Sequence, residues 1–401
     1  MFRHYLQYIR FHMINRIDIF IPARSQYGVL NQFTTDFAAA LTRQGVNCRI
    51  LKAERDNPRP FLDQIFQDPP NCTLSFNGLL PDEEGRFFCD LINIPHVAYL
   101  VDAPTLFFSL ANSPLTIITC VDRLGSQFFT ELESAQSFFL PHGVDQDLKD
   151  LHLEKKYEVV MFSSCIDYEK IRENWEQRFS KPLINALNEA IDVSLNQDGI
   201  SYIHAFVQAV DKQAKQGNPI PSHEINFVEV LDMLERYIRG KDRVELVRNI
   251  RDAQVDVFGA PDESKSWSDY FKDMPNVRCH DPVPYQEAIQ IMQQSKIVLS
   301  SCAWIKDGLH ERILAGTQSG ALVVCQENPY LLEEFPRDKS LLYYRHGQWD
   351  ALNASIYHFL NNENERQDRV QQGQNIVQNG HTWDHRARQL LRDLNTYFSS
   401  E

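Results

Sequence analysis

The stretch 306–335, KDGLHERILAGTQSGALVVCQENPYLLEEF, concentrates the residue types in this chain that are best suited to binding and reacting with a charged ligand. It follows the apolar run KIVLSSCAW, which reads as a strand, and leads into a second apolar run, GALVV. Gly308 is expected to open a helix between the two. A helix start after a parallel strand presents free N–H groups and the positive end of the helix dipole, which together suit a phosphate. Gly308, beside Leu309, lets the backbone approach such a group closely. Glu311 falls in the first turn, where it can accept hydrogen bonds from hydroxyls such as those of a ribose. Arg312 offers a planar fork for a pyrophosphate, and His310 stands where a leaving phosphate would lie. The plainer alternative is a Glu that complements the helix dipole and an Arg in a surface pair.

Other reactive side chains fall at the ends of apolar runs. Ser163 and Ser164 close YEVVMFSS, where small hydroxyl residues can meet a phosphate or simply turn the chain. Asp102 in LVDAP sits at a strand's carboxyl end and is the candidate base for deprotonating a hydroxyl nucleophile. Asp122 and His142 follow TIITCV and FLP in the same manner. His142 is read either as a contact to a bound sugar or acceptor, or as a structural histidine beside a linker.

The elements that must position these residues alternate between two periodicities. RIDIFIP is an alternating apolar run, QFTTDFAAALTRQG has helical spacing closed by Gly45, and VNCRIL is the next strand. Such a unit builds a parallel sheet. CTLSFNG, HVAYLVDAP, LTIITCVD and SFFLPHGVD continue it, so five or six strands complete one open α/β domain by Asp145. QDLKDLHLEKK reads as a linker. YEVVMFSS opens a second α/β domain, with VDVFG, VRCHDPV, KIVLSS, GALVV and SLLYY as its further strands and a strandless, helical insert over about 170–250. HTWDHRARQLLRDLNTYF is a closing helix in which Thr382 is a fair N-cap, DHRAR an interdomain or solvent-facing stretch, and PYLLEEF upstream a core segment with a solvated acidic face. The expected fold class is α/β: two Rossmann-like doubly wound domains facing a cleft, the default binding place. Their ranges are 1–147, 148–380 and, for the returning helix, 381–401.

Composition sets outer bounds. Four hundred and one residues favour two domains over one. With 40 Lys and Arg against 54 Asp and Glu, the formal charge of −14 argues against a nucleic-acid partner. None of the eight cysteines forms a C-x-x-C pair, which suits buried free thiols in a reducing cytoplasm. No apolar run approaches the roughly 18–20 residues of a membrane span. Arg3, Arg10 and Arg16 interrupt any signal-peptide core, and Phe2, Tyr5, Leu6 and Ile9 read as a short amphipathic turn or a leader before the first strand.

The order of motifs resembles a known family. G-x-H-E-R-I, G-A-L-V-V and N-P-Y-L-x-E-x-F, followed by G-H-T-W-x-x-R-A, look like the bacterial glycosyltransferases of the spore-maturation-protein-like group, and LVDAP, TIITCVD and FLPHGVD extend the likeness. The resemblance implies the GT-B fold. It implies a nucleoside-diphosphate-sugar donor held mainly by the second domain and an unidentified acceptor (glycan, lipid, protein or small molecule) held mainly by the first. It further implies metal-independent transfer, often with retention, and no cofactor. It places Gly28 in a flexible loop near the donor phosphate or acceptor, and Asp281 and Val283 in the loop that reads the base. The candidate catalytic set is Asp102, a base needed only if transfer inverts, with His142 and His310; the candidate donor set is Gly28, Ser163, Ser164, Asp281, Val283 and Gly308 to Arg312, including Leu309, His310 and Glu311. One departure stands out: relatives carry a ribose-binding Glu five residues before the Gly of the next strand, and counting back from Gly320 gives Ala315. Either Glu311, one turn earlier on the same face, takes that role, which is the preferred reading, or His310–Arg312 serves the phosphates and another residue holds the ribose. A nucleotide-sugar 2-epimerase and a non-catalytic sugar-nucleotide-binding partner of a transferase are the alternatives.

Overall fold

The computed structural model describes residues 14–22, 25–52, 59–132 and 136–399; the Phe2–Ile9 segment lies outside them. The chain forms two compact units, one ending at Gln146 and resuming at Gly380, the other spanning Asp147–Asn379.

The first unit is a six-stranded sheet of β1 (Arg16–Phe20), β2 (Asn47–Leu51), β3 (Cys72–Phe76), β4 (His96–Leu100), β5 (Thr116–Cys120) and β6 (Gln136–Phe139), in the order β2-β1-β3-β4-β5-β6. Every pairing is parallel. β3, β4 and β5 are buried at every residue, as expected for strands covered on both faces. The polar residue in β1, Asp18, is fully buried and is neutralised by Arg49 of β2 and by Arg16. The closing helix Trp383–Ser399 belongs to this unit and packs on the helix Val29–Arg43. Trp383 inserts among Phe33, Phe37, Phe76 and Tyr99, with ring centroids 5.3–6.2 Å away. Within DHRAR, expected as an interdomain or solvent-facing stretch, Asp384, Arg386 and Ala387 are buried while Arg388 is exposed. Asp384 receives Arg43 Nε at 2.8 Å, and the buried Arg386 donates to the His142 carbonyl at 2.9 Å.

The second unit holds β7 (Tyr157–Phe162), β8 (Val255–Phe258), β9 (Val277–His280), β10 (Ser295–Ser300), β11 (Leu322–Gln326) and β12 (Leu342–Tyr344), in the order β12-β11-β10-β7-β8-β9. The connections therefore reverse direction between β7 and β10, and ligands of open α/β sheets collect beyond the carboxyl ends of strands at such a point. The helices Tyr168–Arg178, Lys181–Asn196, Tyr202–Lys215 and Phe227–Arg248 fill the expected strandless region. The last of them is more than insert. Its Val244, Leu246 and Val247 pack into the sheet's core, so its C-terminal half is the ordinary crossover from β7 to β8. Arg243 sits level with the end of β7, and the turns before it extend past the sheet's carboxyl edge.

All eight cysteines are free thiols. No helix among the described residues is long and apolar enough to cross a membrane.

Candidate functional site

In the second unit, side chains from three segments meet at the reversal point. β7 ends in Ser163 and Ser164. The Ser163 amide donates to the Phe258 carbonyl, and its own carbonyl accepts from Trp267 Nε1 at 2.8 Å, leaving a buried hydroxyl with no hydrogen bond among the described residues. Gly259 fits only because it lacks a side chain: a Cβ there would stand 1.8 Å from the Ser163 carbonyl oxygen.

The chain after β10 departs from expectation. Gly308 does not open the helix, which runs from Glu311 to Gln318 with His310 as its N-cap in an extended conformation. Gly308 and the buried Leu309 lie in the preceding loop, whose Gly308 carbonyl is held by Asn328 Nδ2 at 3.0 Å. His310 Nδ1 lies 2.5 Å from the Glu311 carboxylate and accepts the Arg312 backbone N–H at 3.3 Å, which is the cap bond of this helix. His310 Nε2 then faces Arg312 Nη2 at 3.4 Å. Burial, the largest influence, lowers the His310 pKa despite Glu311, so the ring is neutral at neutral pH. Glu311 thus spends its carboxylate on His310, with Arg312 3.9 Å away. Arg312 is only 13% exposed, and its Nη1 is buried without a hydrogen bond among the described residues.

The third segment was not anticipated. Arg243, on the helix Phe227–Arg248, donates from Nη1 to the Ser164 carbonyl at 2.9 Å, while its buried Nε has no hydrogen bond among the described residues. Burial, then the charges of Arg239 and Arg312, lowers its pKa to about 9, so it remains a cation at neutral pH. Arg239 pairs with the buried Glu235 at 3.1 Å. Three guanidiniums thus stand within electrostatic reach of one another, and two of them carry unused buried N–H donors. Buried cations are stable only when paired, and planar N–H forks match the oxygens of a phosphate. The sequence signal was Arg-x-x-Arg-x-x-x-Arg at 236–243, which a helix gathers on one side.

Next to this cluster is a small open pocket lined in part by Ser300, Gly308, His310, Gln326 and Asn328. Ser300 Oγ and Gln326 Oε1 are buried without hydrogen bonds among the described residues. Asp281 is exposed and Val283 half-buried in the loop after β9, two strands from β7. Before that loop, His280 stacks on Phe258 (4.4 Å between centroids) and bonds Asp256 at 2.7 Å.

The first unit holds the other expected residues at the carboxyl ends of its strands. Gly28 lies after β1 with a left-handed φ of 76° and caps the helix Val29–Arg43. Asp122 caps the helix Arg123–Glu131 by accepting from Leu124 and Gly125. Asp102 is exposed after β4, where Asn77 Nδ2 donates to its Oδ2 at 2.7 Å. His142 is the exception. It is 1% exposed, its ring set 5.8 Å from Phe33 beside the Trp383 cluster, because the Arg386 bond to its carbonyl holds the segment inward.

Residues 239–392 match the family model described as glycosyl transferase-like. The matched segment begins at Arg239 and contains Arg243, His310, Glu311 and Arg312. Three solved structures share the fold over nearly the whole chain. Sucrose-phosphate synthase of Thermosynechococcus elongatus has a TM-score of 0.56 at 10% identity, covering 96% of this chain and 100% of that one. Anabaena HepE in complex with UDP and glucose has a TM-score of 0.52 at 11% identity, with the same coverage. A glycosyltransferase of Rickettsia africae has a TM-score of 0.50 at 11% identity, covering 96% and 99%. The architecture is the two-domain α/β GT-B fold. No curated protein matches the chain by sequence.

Proposed function

We propose that the protein is a glycosyltransferase that moves a sugar from a nucleoside-diphosphate-sugar to an acceptor. The observation that carries this reading is the guanidinium cluster of Arg239, Arg243 and Arg312, in which Arg243 Nε and Arg312 Nη1 are unused donors where the fold gathers ligands. In this reading Arg243, Arg312 and the Ser163 hydroxyl grip the diphosphate, with the start of the helix at Glu311 adding its dipole. Ser300 and Gln326 meet hydroxyls of the sugar, and the loop of Asp281 and Val283 holds the base. Glu311 serves the phosphate site by fixing His310 rather than the ribose. The cations neutralise the leaving diphosphate as a metal ion would, so transfer is metal-independent. Asp102 in the first unit accepts a hydrogen bond from the incoming hydroxyl. In the retaining course we propose, the departing phosphate takes the hydroxyl proton.

Calorimetric titration tests the reading. UDP, the nucleotide in the HepE complex, is the first ligand to try, followed by GDP, dTDP and CMP. Arg312→Ala and Arg243→Gln should each raise Kd about 10- to 100-fold, the range for a charge-linked hydrogen bond. Absence of binding by all four nucleotides would remove the proposal. A 2-epimerase is disfavoured because Asp122 is spent on a cap and His142 on the core. Ala315, buried and unable to bond a ribose, favours the second reading, a non-catalytic sugar-nucleotide-binding partner; nucleotide binding without any UDP release from UDP-glucose would support it.

A further inference from the structure

We infer that Asn77 is a positioning residue for Asp102, holding its carboxylate in the one orientation that presents a free oxygen to the acceptor. The inference rests on the reading of Asp102 as the carboxylate that the acceptor contacts.

Asp102 is exposed, and an exposed aspartate ordinarily samples several rotamers. Here it does not swing freely. Asn77 Oδ1 accepts from the backbone N–H of Val101 at 3.0 Å and of Asp102 at 3.3 Å. Those two donors fix which way the Asn77 amide faces, so its N–H₂ end points at the carboxylate and donates to Oδ2 at 2.7 Å. The other oxygen, Oδ1, has no hydrogen-bond partner among the described residues.

The clamp is itself rigid. The Asn77 backbone N–H donates to the Tyr99 carbonyl at 2.8 Å, tying the ends of β3 and β4. Asn77 has a left-handed φ of 63°, a conformation that asparagine and aspartate tolerate better than other side chains. Joining two strand ends needs only an acceptor for the Val101 and Asp102 amides, which aspartate would supply equally. Only asparagine also supplies a donor to the carboxylate. Residue type, orientation and unusual backbone therefore all serve the aim of Asp102.

The test separates the donor from the brace. Asn77→Asp keeps the acceptor for both backbone amides and tolerates the left-handed backbone, but it loses the donor and sets a second negative charge beside Asp102. The probe is UDP-glucose with water as acceptor, followed as UDP release across pH 5–9 for full-length wild type, Asn77→Asp, Asn77→Gly and Asp102→Asn. The expected result for Asn77→Asp is a kcat lower by about tenfold or more. Its KM for UDP-glucose stays within about twofold, because the donor is held by the other unit. Its pH–rate profile over pH 5–9 differs from the wild type's, because a second negative charge stands beside Asp102. Asn77→Gly, free in the left-handed region, should lose kcat with a smaller change in pH profile, and it stands in if Asn77→Asp lowers the melting temperature. Wild-type rate and pH profile in both Asn77 variants, with Asp102→Asn impaired, would overturn the inference alone. Full activity in Asp102→Asn, or no UDP release by the wild type, would instead remove the underlying reading of Asp102.

Discussion

Arg243 keeps its charge in a place where burial opposes it, and the ring of His310 stays neutral beside Arg312. Glu311 is the residue on which sequence and structure part. Its place in the first turn suits a ribose acceptor, and in the folded chain its carboxylate lies against His310. Glu311→Gln should therefore change the Kd for UDP by no more than about threefold, and may be compared by calorimetry with the loss in Arg312→Ala. A tenfold loss, about 1.4 kcal/mol, would restore the ribose role. The types and order of His310, Glu311 and Arg312 were legible in the chain. Their internal pairing was not, because an i, i+1 contact depends on cap geometry rather than on spacing.

Among the elements, β4 carries a titratable group in its core. His96 is fully enclosed between the hydroxyls of Thr73 at 2.8 Å and Ser75 at 2.9 Å, and burial lowers its pKa from 6.5 to about 3. The unfolded chain thus binds the proton more readily. The stabilisation is complete above pH 6.5 and is lost as pH falls from there toward 3, by about 2 kcal/mol at pH 5. Urea unfolding at pH 7.5 and 5 should show this loss, and His96→Gln should reduce it. The closing helix depends on one side chain: Trp383→Ala should destabilise the first unit by about 3–5 kcal/mol, read by chemical denaturation. At the site, Gly259→Ala forces the end of β7 to move. It should weaken UDP binding together with stability, whereas Arg312→Ala should weaken binding alone. All twelve strands were legible as short apolar runs between polar, Gly or Pro residues, since period and burial are local properties. The helix Phe227–Arg248 was misjudged as wholly inserted, because its sequence does not reveal where it meets the sheet.

For the molecule as a whole, the nucleotide site proposed in Asp147–Asn379 predicts selective stabilisation of that unit. Scanning calorimetry with UDP at 100 times Kd should raise the transition of Asp147–Asn379 by about 2.7 kcal/mol of stability while leaving the other unit's transition in place. Chelation by EDTA should leave sugar transfer intact; activity restored only by manganese would contradict the role given to the arginines. The chain by itself determined two doubly wound α/β units, a helical region between β7 and β8, and a phosphate-suited segment after β10, because hydrophobic period, turn residues and helix starts are written in neighbouring positions. Tertiary structure alone decided that Arg243 joins Arg312 across 69 residues of sequence, that His142 turns inward while Asp102 stays open, and that Asn77 grips Asp102. Each of those outcomes depends on which strand ends the sheet order sets side by side, and no local pattern encodes that order.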